Sequence, residues 1–333
     1  MTKTAFFDHT HTLRALTPHE HAVSSKTLIQ NIGLKPNESL LIVTDSEKKD
    51  REAALFFEAA KEITSNVTLA EIPTMTENAQ EPPSDVTSMM KKADVVLLIT
   101  SFSLTHTHAS EDARASGTRS ISMPGISYEV IMRTLGIDYS DIAARSNQVA
   151  AILSAGHEAI LTSPLGTEVI FGISGRTAVA DTGFFTQAGD GGNLPAGEAF
   201  LAPVEGTTNG IIVFDGSFAD IVIDEPITLV VKQGHAIDIR GGEGARLLNT
   251  RLARVGKDGY NIAELGVGTN DAARINSILL EVEKVFETVH VALGNSKHIG
   301  GEVDIPFHSD GVILSPTLAV DGHYILKDGK FML

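Results

Sequence analysis

In the first third of the chain, short apolar runs alternate with stretches whose apolar residues recur at helical spacing. Leu40 to Thr44 (LLIVT), Val67 to Ile72 and Ala93 to Thr100 (ADVVLLIT) read as buried strands. Lys49 to Ile63 carries alanines and phenylalanines at helical spacing, and Ser127 to Leu135 reads as a further helix. Strands alternating with helices predict an N-terminal, doubly wound α/β domain around a parallel sheet. Ala79 to Ser84 (AQEPPS) reads as a loop. No G-x-G-x-x-G turn opens a helix after the first strand, so a dinucleotide site lacks support.

From about Ala159 the pattern changes to short β-like runs broken by glycines: AILTSPLGTEVIFGISG, NGIIVFDGSF and ITLVVKQGHAIDIRGGEG. This spacing predicts a β-rich α+β second domain, mainly antiparallel. Two helices are expected to interrupt it, Glu243 to Val255 and Asp271 to Phe286, the latter with Ile275, Ile278, Leu279, Val282 and Val285 on one face. The expected division is an α/β domain over 1–155, with a His-rich N-terminal arm, and a β-rich domain over 156–333 carrying a metal cleft.

Composition narrows the chemistry. The 333 residues carry a formal net charge of -16, which argues against nucleic acid or an anionic membrane as the main partner and favours a small substrate. There is no cysteine, so a metal must be held by His, Asp and Glu. The N-terminus is polar, and no run approaches the ~20 apolar residues of a membrane helix. A soluble, cytoplasmic protein is the expectation.

Five residues at the edges of β-like runs are candidate metal ligands: Glu198, Glu264, His290, His308 and Asp310. His308 and Asp310, two apart in PFHSDGVI, share one face of a strand. Three carboxylates and two imidazoles suit two divalent ions sharing a bridge, whereas a mononuclear iron site needs only two His and one carboxylate. Asp8, His9 and His11, then His19, Glu20 and His21, then His106 and His108 compete by composition, but read as solvated arm and loop. Gly241-Gly242 reads as a turn before a helix rather than as a phosphate cradle.

Four ordered blocks, GNLPAGEAFLAPVEGTTNGIIVFDGSF, IAELGVGTN, EKVFETVHVALGNS and GGEVDIPFHSDGVI, resemble the metal-binding half of the aminopeptidase T and aminopeptidase S family over roughly residues 155–333. The N-terminal half is similar more weakly, through the GTR and PG elements around Gly117 and Pro124. The resemblance implies a homodimeric metalloaminopeptidase releasing N-terminal residues from peptides. It implies two divalent ions per chain (Zn, Co or Mn) held by Glu198, Glu264, His290, His308 and Asp310, with Glu264 as bridge and proton acceptor. The family's usual tyrosine is replaced by Lys297, which the resemblance places at the catalytic centre. The same superfamily includes iron enzymes similar to 2,5-dihydroxypyridine dioxygenase, in which a histidine stands where this chain has Glu264. Ring cleavage at one iron is therefore the alternative, and a non-catalytic accessory protein on the same fold is the third reading.

Overall fold

The computed structural model describes residues 4–219, 221 and 223–333. It is a mixed α/β structure with large sheets. The chain divides into two compact units, one of residues up to 139 with 183–196, the other of 140–182 with 197–333. The helix Ser140–Ala155 thus belongs with the second unit, and the strand Gly191–Asn193 returns to the first.

The first unit is built on a six-stranded sheet in the order Ala5–Asp8, Val67–Ile72, Leu40–Asp45, Val95–Ile99, Arg119–Ser122, Gly191–Asn193. Every neighbouring pair is parallel except the first, in which Ala5–Asp8 runs antiparallel. Leu40–Asp45 and Val95–Ile99 are buried at every position, which is why they read as continuous apolar runs rather than alternating ones. The helical pattern after Lys49 begins as a π-helical turn, Lys49–Ala53, and continues as the α-helix Ala54–Ala60. The Ser127 hydroxyl accepts from the Val130 amide and so starts the helix Tyr128–Thr134.

The second unit has two antiparallel sheets. One orders six strands as Ser217–Phe218, His308–Ile313, Val289–Gly294, Ile262–Gly268, Glu198–Leu201, Val179–Asp181. The other has eight strands, from His235–Arg240 through Glu168–Gly172 and Glu158–Thr162 to Lys330–Phe331. Leu265, Val267, Val289, Val291 and Ile313 of the first sheet share a core with Leu161, Phe171, Ile212, Phe214 and Leu229 of the second. Side chains alternate along a strand, so burying these residues turns Glu198, Glu264, His290, His308 and Asp310 to the opposite face of the six-stranded sheet.

Glu243–Val255 is helical as its pattern predicts. Before it the Asp224 carboxylate accepts from the amides of Glu243 and Gly244 at 2.9 and 3.1 Å. A Cβ on Gly242 would come within 2.2 Å of Asp224, so the chain's own carboxylate fills the place an anion would take. The expected helix from Asp271 to Phe286 is corrected: only Leu279–Val282 is helical. Asn270 accepts from the Ala272 amide, Asn276 from the Ile278 amide and Glu281 from the Arg274 amide, at 3.0, 2.7 and 2.9 Å. These side-chain bonds compete with the helical ladder and win over most of the stretch. Among the described residues, no helix is long and apolar enough to cross a membrane.

Candidate metal centre

Register brings the candidates together. Ala292 pairs with Glu264 on one side and Asp310 on the other, while His290 pairs with Gly266 and Val312 one row away. Glu198 lies opposite Gly268, and His308 opposite Gly294. The residues between the polar ones are small for a reason: a Cβ on Gly266 would fall 1.9 Å from His290 Nε2. The imidazole therefore lies over a backbone position that only glycine leaves open.

His290 is fully buried, and its Nε2 is 3.2 Å from Glu264 Oε1 and 3.3 Å from Glu198 Oε2. Its Nδ1 and the Glu198 Oε2 atom are buried without a hydrogen-bond partner among the described residues. His308, a quarter exposed, sets its Nε2 3.3 Å from Glu264 Oε2 and 3.4 Å from Asp310 Oδ2. Its Nδ1 lies 2.8 Å from the Asn295 carbonyl, which can only accept, so Nδ1 carries a proton and Nε2 is left for a cation.

Packing carboxylates and imidazoles this closely moves their titrations. Burial opposes ionisation of Glu264, but hydrogen bonds from His290 and His308 outweigh it and hold the carboxyl far below its usual range. Burial pushes Glu198 up, against the pull of Lys284 and His290. His290 is raised to about 9: burial opposes its charge, and Glu264, Glu198 and Asp310 more than offset that. His308 is raised for the same reasons, by Asp310 and Glu264. Without a cation, the two imidazoles serve as the counter-charges of this carboxylate nest.

Among the described residues, two groups have ligand atoms close enough to share an ion: Glu198, Glu264 and His290, and Glu264, His298 and His308. The Glu198 Oε2 atom, buried without a hydrogen bond among the described residues, and His308 Nε2, turned to Glu264 and Asp310, suit a cation, and a donor set of oxygen and imidazole nitrogen alone suits iron, manganese, cobalt or zinc. The structure thus places all five predicted ligand candidates at one locus.

Lys297 is exposed at the start of the short turn Lys297–Ile299 and makes no ion pair with the cluster among the described residues. The next residue, His298, brings its ring edge-on to His308 with centroids 5.0 Å apart. Sequence reasoning passed over His298, although GNSKHIGG offers an imidazole directly beside the residue it singled out. It also missed Lys284 and Glu283, hidden in a stretch read as amphipathic helix. Lys284 is buried, with Nζ 2.5 Å from Glu198 Oε1 and 2.7 Å from Glu283 Oε1.

Among the described residues, the N-terminal histidines form no such group. His11 pairs with Asp8 at 3.0 Å and stacks edge-on against Phe7, and His21 meets Glu62 at 3.0 Å. His108 opens the helix His108–Ala115 and is largely exposed.

The fold and this centre define a class. Two solved structures share the fold over nearly all their length. One is 2,5-dihydroxypyridine dioxygenase from Pseudomonas putida KT2440, with TM-score 0.78 and 18% identity, covering 96% of this chain and 98% of that one. The other is wild-type AmpT from Thermus thermophilus, with TM-score 0.72 and 15% identity, covering 96% and 100%. No curated protein matches the chain significantly. The chain belongs to the NicX family, described as 2,5-dihydroxypyridine 5,6-dioxygenase, whose model matches residues 23–333.

This match corrects the aminopeptidase expectation. The fold is related to aminopeptidase T, but the family spanning the chain is a dioxygenase family, so the hydrolase and protease readings are set aside. The four blocks behind the earlier resemblance belong to a chain whose fold each of the two solved structures shares over 96% of its length. They report the scaffold more than the reaction.

Proposed function

We propose that this chain is a metal-dependent ring-opening dioxygenase acting on a small dihydroxylated nitrogen heteroaromatic of the 2,5-dihydroxypyridine type, with iron(II) as its metal. The family match over residues 23–333 carries this reading. The group Glu264, His298 and His308 supports it, since two imidazoles and one carboxylate are the donor set of many non-haem iron oxygenases. Bound there, iron(II) supplies the one-electron steps that let dioxygen react with a closed-shell ring.

The chain's own residues orient and protect. The Asn295 carbonyl fixes the His308 tautomer and keeps Nε2 directed at the centre. Glu264, buried and ionised, anchors the set from beneath, while exposed His298 lies on the side a substrate can enter. Glu283 is raised to about 8, first by burial and then by the charges of Glu198 and Asp310, against the pull of Lys284. A carboxyl held there mainly protonated at neutral pH can give a proton to the substrate and recover one from its hydroxyl. Lys284 donates a hydrogen bond to that carboxylate and holds it in place.

The test is an anaerobic reconstitution with iron(II), followed by 2,5-dihydroxypyridine and 18O-labelled dioxygen. Loss of the aromatic absorbance with two labelled oxygens in the product is expected. Iron-loaded protein that consumes no oxygen with this or related dihydroxypyridines overturns the reading.

A further inference from the structure

Lys284 reaches the centre on a rigid backbone. Its amide donates to the Glu281 carbonyl at 3.0 Å, and its carbonyl accepts from the Asn270 amide at 2.9 Å. On the neighbouring strand, a Cβ on Gly268 would lie 2.0 Å from the Val285 carbonyl oxygen and 2.9 Å from the Lys284 carbonyl carbon. The absence of a side chain at 268 is what lets this segment pack so closely. The Lys284 side chain is only 3% exposed, and besides Glu198 and Glu283 it faces Asp181 Oδ2 at 3.9 Å. An ammonium is a compact point charge with three donors, here set among three carboxylates.

A pair of ions would place one in the Glu264, His298, His308 group and the other in the Glu198, Glu264, His290 group. The second position is contested. Glu198 gives its Oε1 to the ammonium and turns its Oε2 towards His290 Nε2 at 3.3 Å. A divalent ion on Oε2 would sit one carboxylate away from a full positive charge, in a buried site where water screens little.

We propose that the Lys284 ammonium is the resident cation on the Glu198 side of the centre, so that the centre takes a single divalent ion on the Glu264–His308 side. The inference rests on the metal-dependent reading above and adds to it the residue that sets the stoichiometry. A protein on the same scaffold with a neutral residue at this position would have a vacant carboxylate pair there and room for a second ion.

Calorimetric titration of the metal-stripped protein with cobalt(II) alone tests it without recourse to turnover. The wild type is expected to take one equivalent per chain. Lys284→Met, which leaves Glu198 and Glu283 without their counter-charge, is expected to take two, and Lys284→Arg one. If Lys284→Met does not fold, Lys284→Gln decides instead, with two equivalents expected again, whereas His308→Ala should lower the single-ion affinity by ~100-fold or more. Two equivalents in the wild type, or a folded Lys284→Met or Lys284→Gln that still takes one, overturns the role of Lys284 while leaving a metal centre in place. Failure of the wild type to bind cobalt(II) or iron(II) at all overturns both this inference and the reading it rests on.

Discussion

The His-rich N-terminal stretch and the face of the six-stranded sheet use the same residue types to opposite effect. Asp8, His9, His11, His19, Glu20 and His21 lie close together in the chain, yet the structure sends them to separate partners: His11 to Asp8, His21 to Glu62, and the buried Glu20 to Arg14. Glu198, Glu264, His290, His308 and Asp310 are scattered between positions 198 and 310, yet antiparallel register stacks them within ion-pair distance in a mostly buried site. Density along the chain is thus a poor guide to which side chains the fold gathers. What matters is whether strands hold them on one face, with small residues between them and a core behind.

The strongest test of that contrast is His308→Ala. It should remove oxygen-dependent ring opening and lower iron(II) or cobalt(II) affinity by ~100-fold or more, beyond the usual loss of an outer partner. Metal content after dialysis, measured together with turnover, checks it. Retention of wild-type affinity would take His308 out of the centre.

A second test reads the carboxylate nest through pH. His290 is held at about 9 against an ordinary value of 6.5, so its charged form is favoured by folding. In metal-stripped protein that contribution is complete below 6.5 and is lost as pH rises through about 9. Between those limits the expected loss is roughly 2 kcal/mol, reduced from the full shift because neighbouring carboxylates titrate with it. Urea midpoints at both ends of the window measure it, with His290→Asn as the flat control. Bound metal should lower the slope, because a divalent ion on Glu264 and His308 takes over part of the negative charge that holds the His290 imidazolium.

A smaller change is expected from Gly266→Ala. Its Cβ would meet His290 Nε2 at 1.9 Å, so the ring or the strand must shift, at a cost of about 1–2 kcal/mol in urea unfolding. Metal affinity should fall with it. An unperturbed variant would show that the His290 ring has room to move. The smallest effect belongs to the other side of the comparison: His11→Ala and His21→Ala should leave metal content and melting temperature unchanged, since each removes a solvent-screened pair. A loss of bound metal in either would mean that the arm contributes to the centre after all.

The contrast also explains which elements were legible. Leu40–Asp45 and Val95–Ile99 could be read because central parallel strands bury both faces and leave nearly continuous apolar runs, and Val67–Ile72 because Val67, Leu69, Ala70 and Ile72 are buried around the half-exposed Thr68 and Glu71. Glu243–Val255 could be read because its amphipathic period is uninterrupted, and the Thr250 hydroxyl, which donates to the Arg246 carbonyl at 2.8 Å, leaves the helical ladder in place. The stretch from Asp271 misled because Asn270, Asn276 and Glu281 offer the backbone local hydrogen bonds that a periodicity count does not weigh. Its failure as a helix is what delivers Lys284 and Glu283 to the centre.

By itself the sequence determined the chemistry available: no thiolate, a net charge of -16, and carboxylate and imidazole candidates set in β-like runs. The alternation of side chains made His308 and Asp310 neighbours wherever that strand went. It left open which reaction the ligands serve, because the same four blocks fold onto a scaffold related to both a dioxygenase and an aminopeptidase. Only the tertiary structure decided that His298 rather than Lys297 approaches His308, and that an ammonium lies against Glu198. Those outcomes depend on cross-strand register and on how one irregular loop packs against Gly268, and neither leaves a periodic trace in the chain.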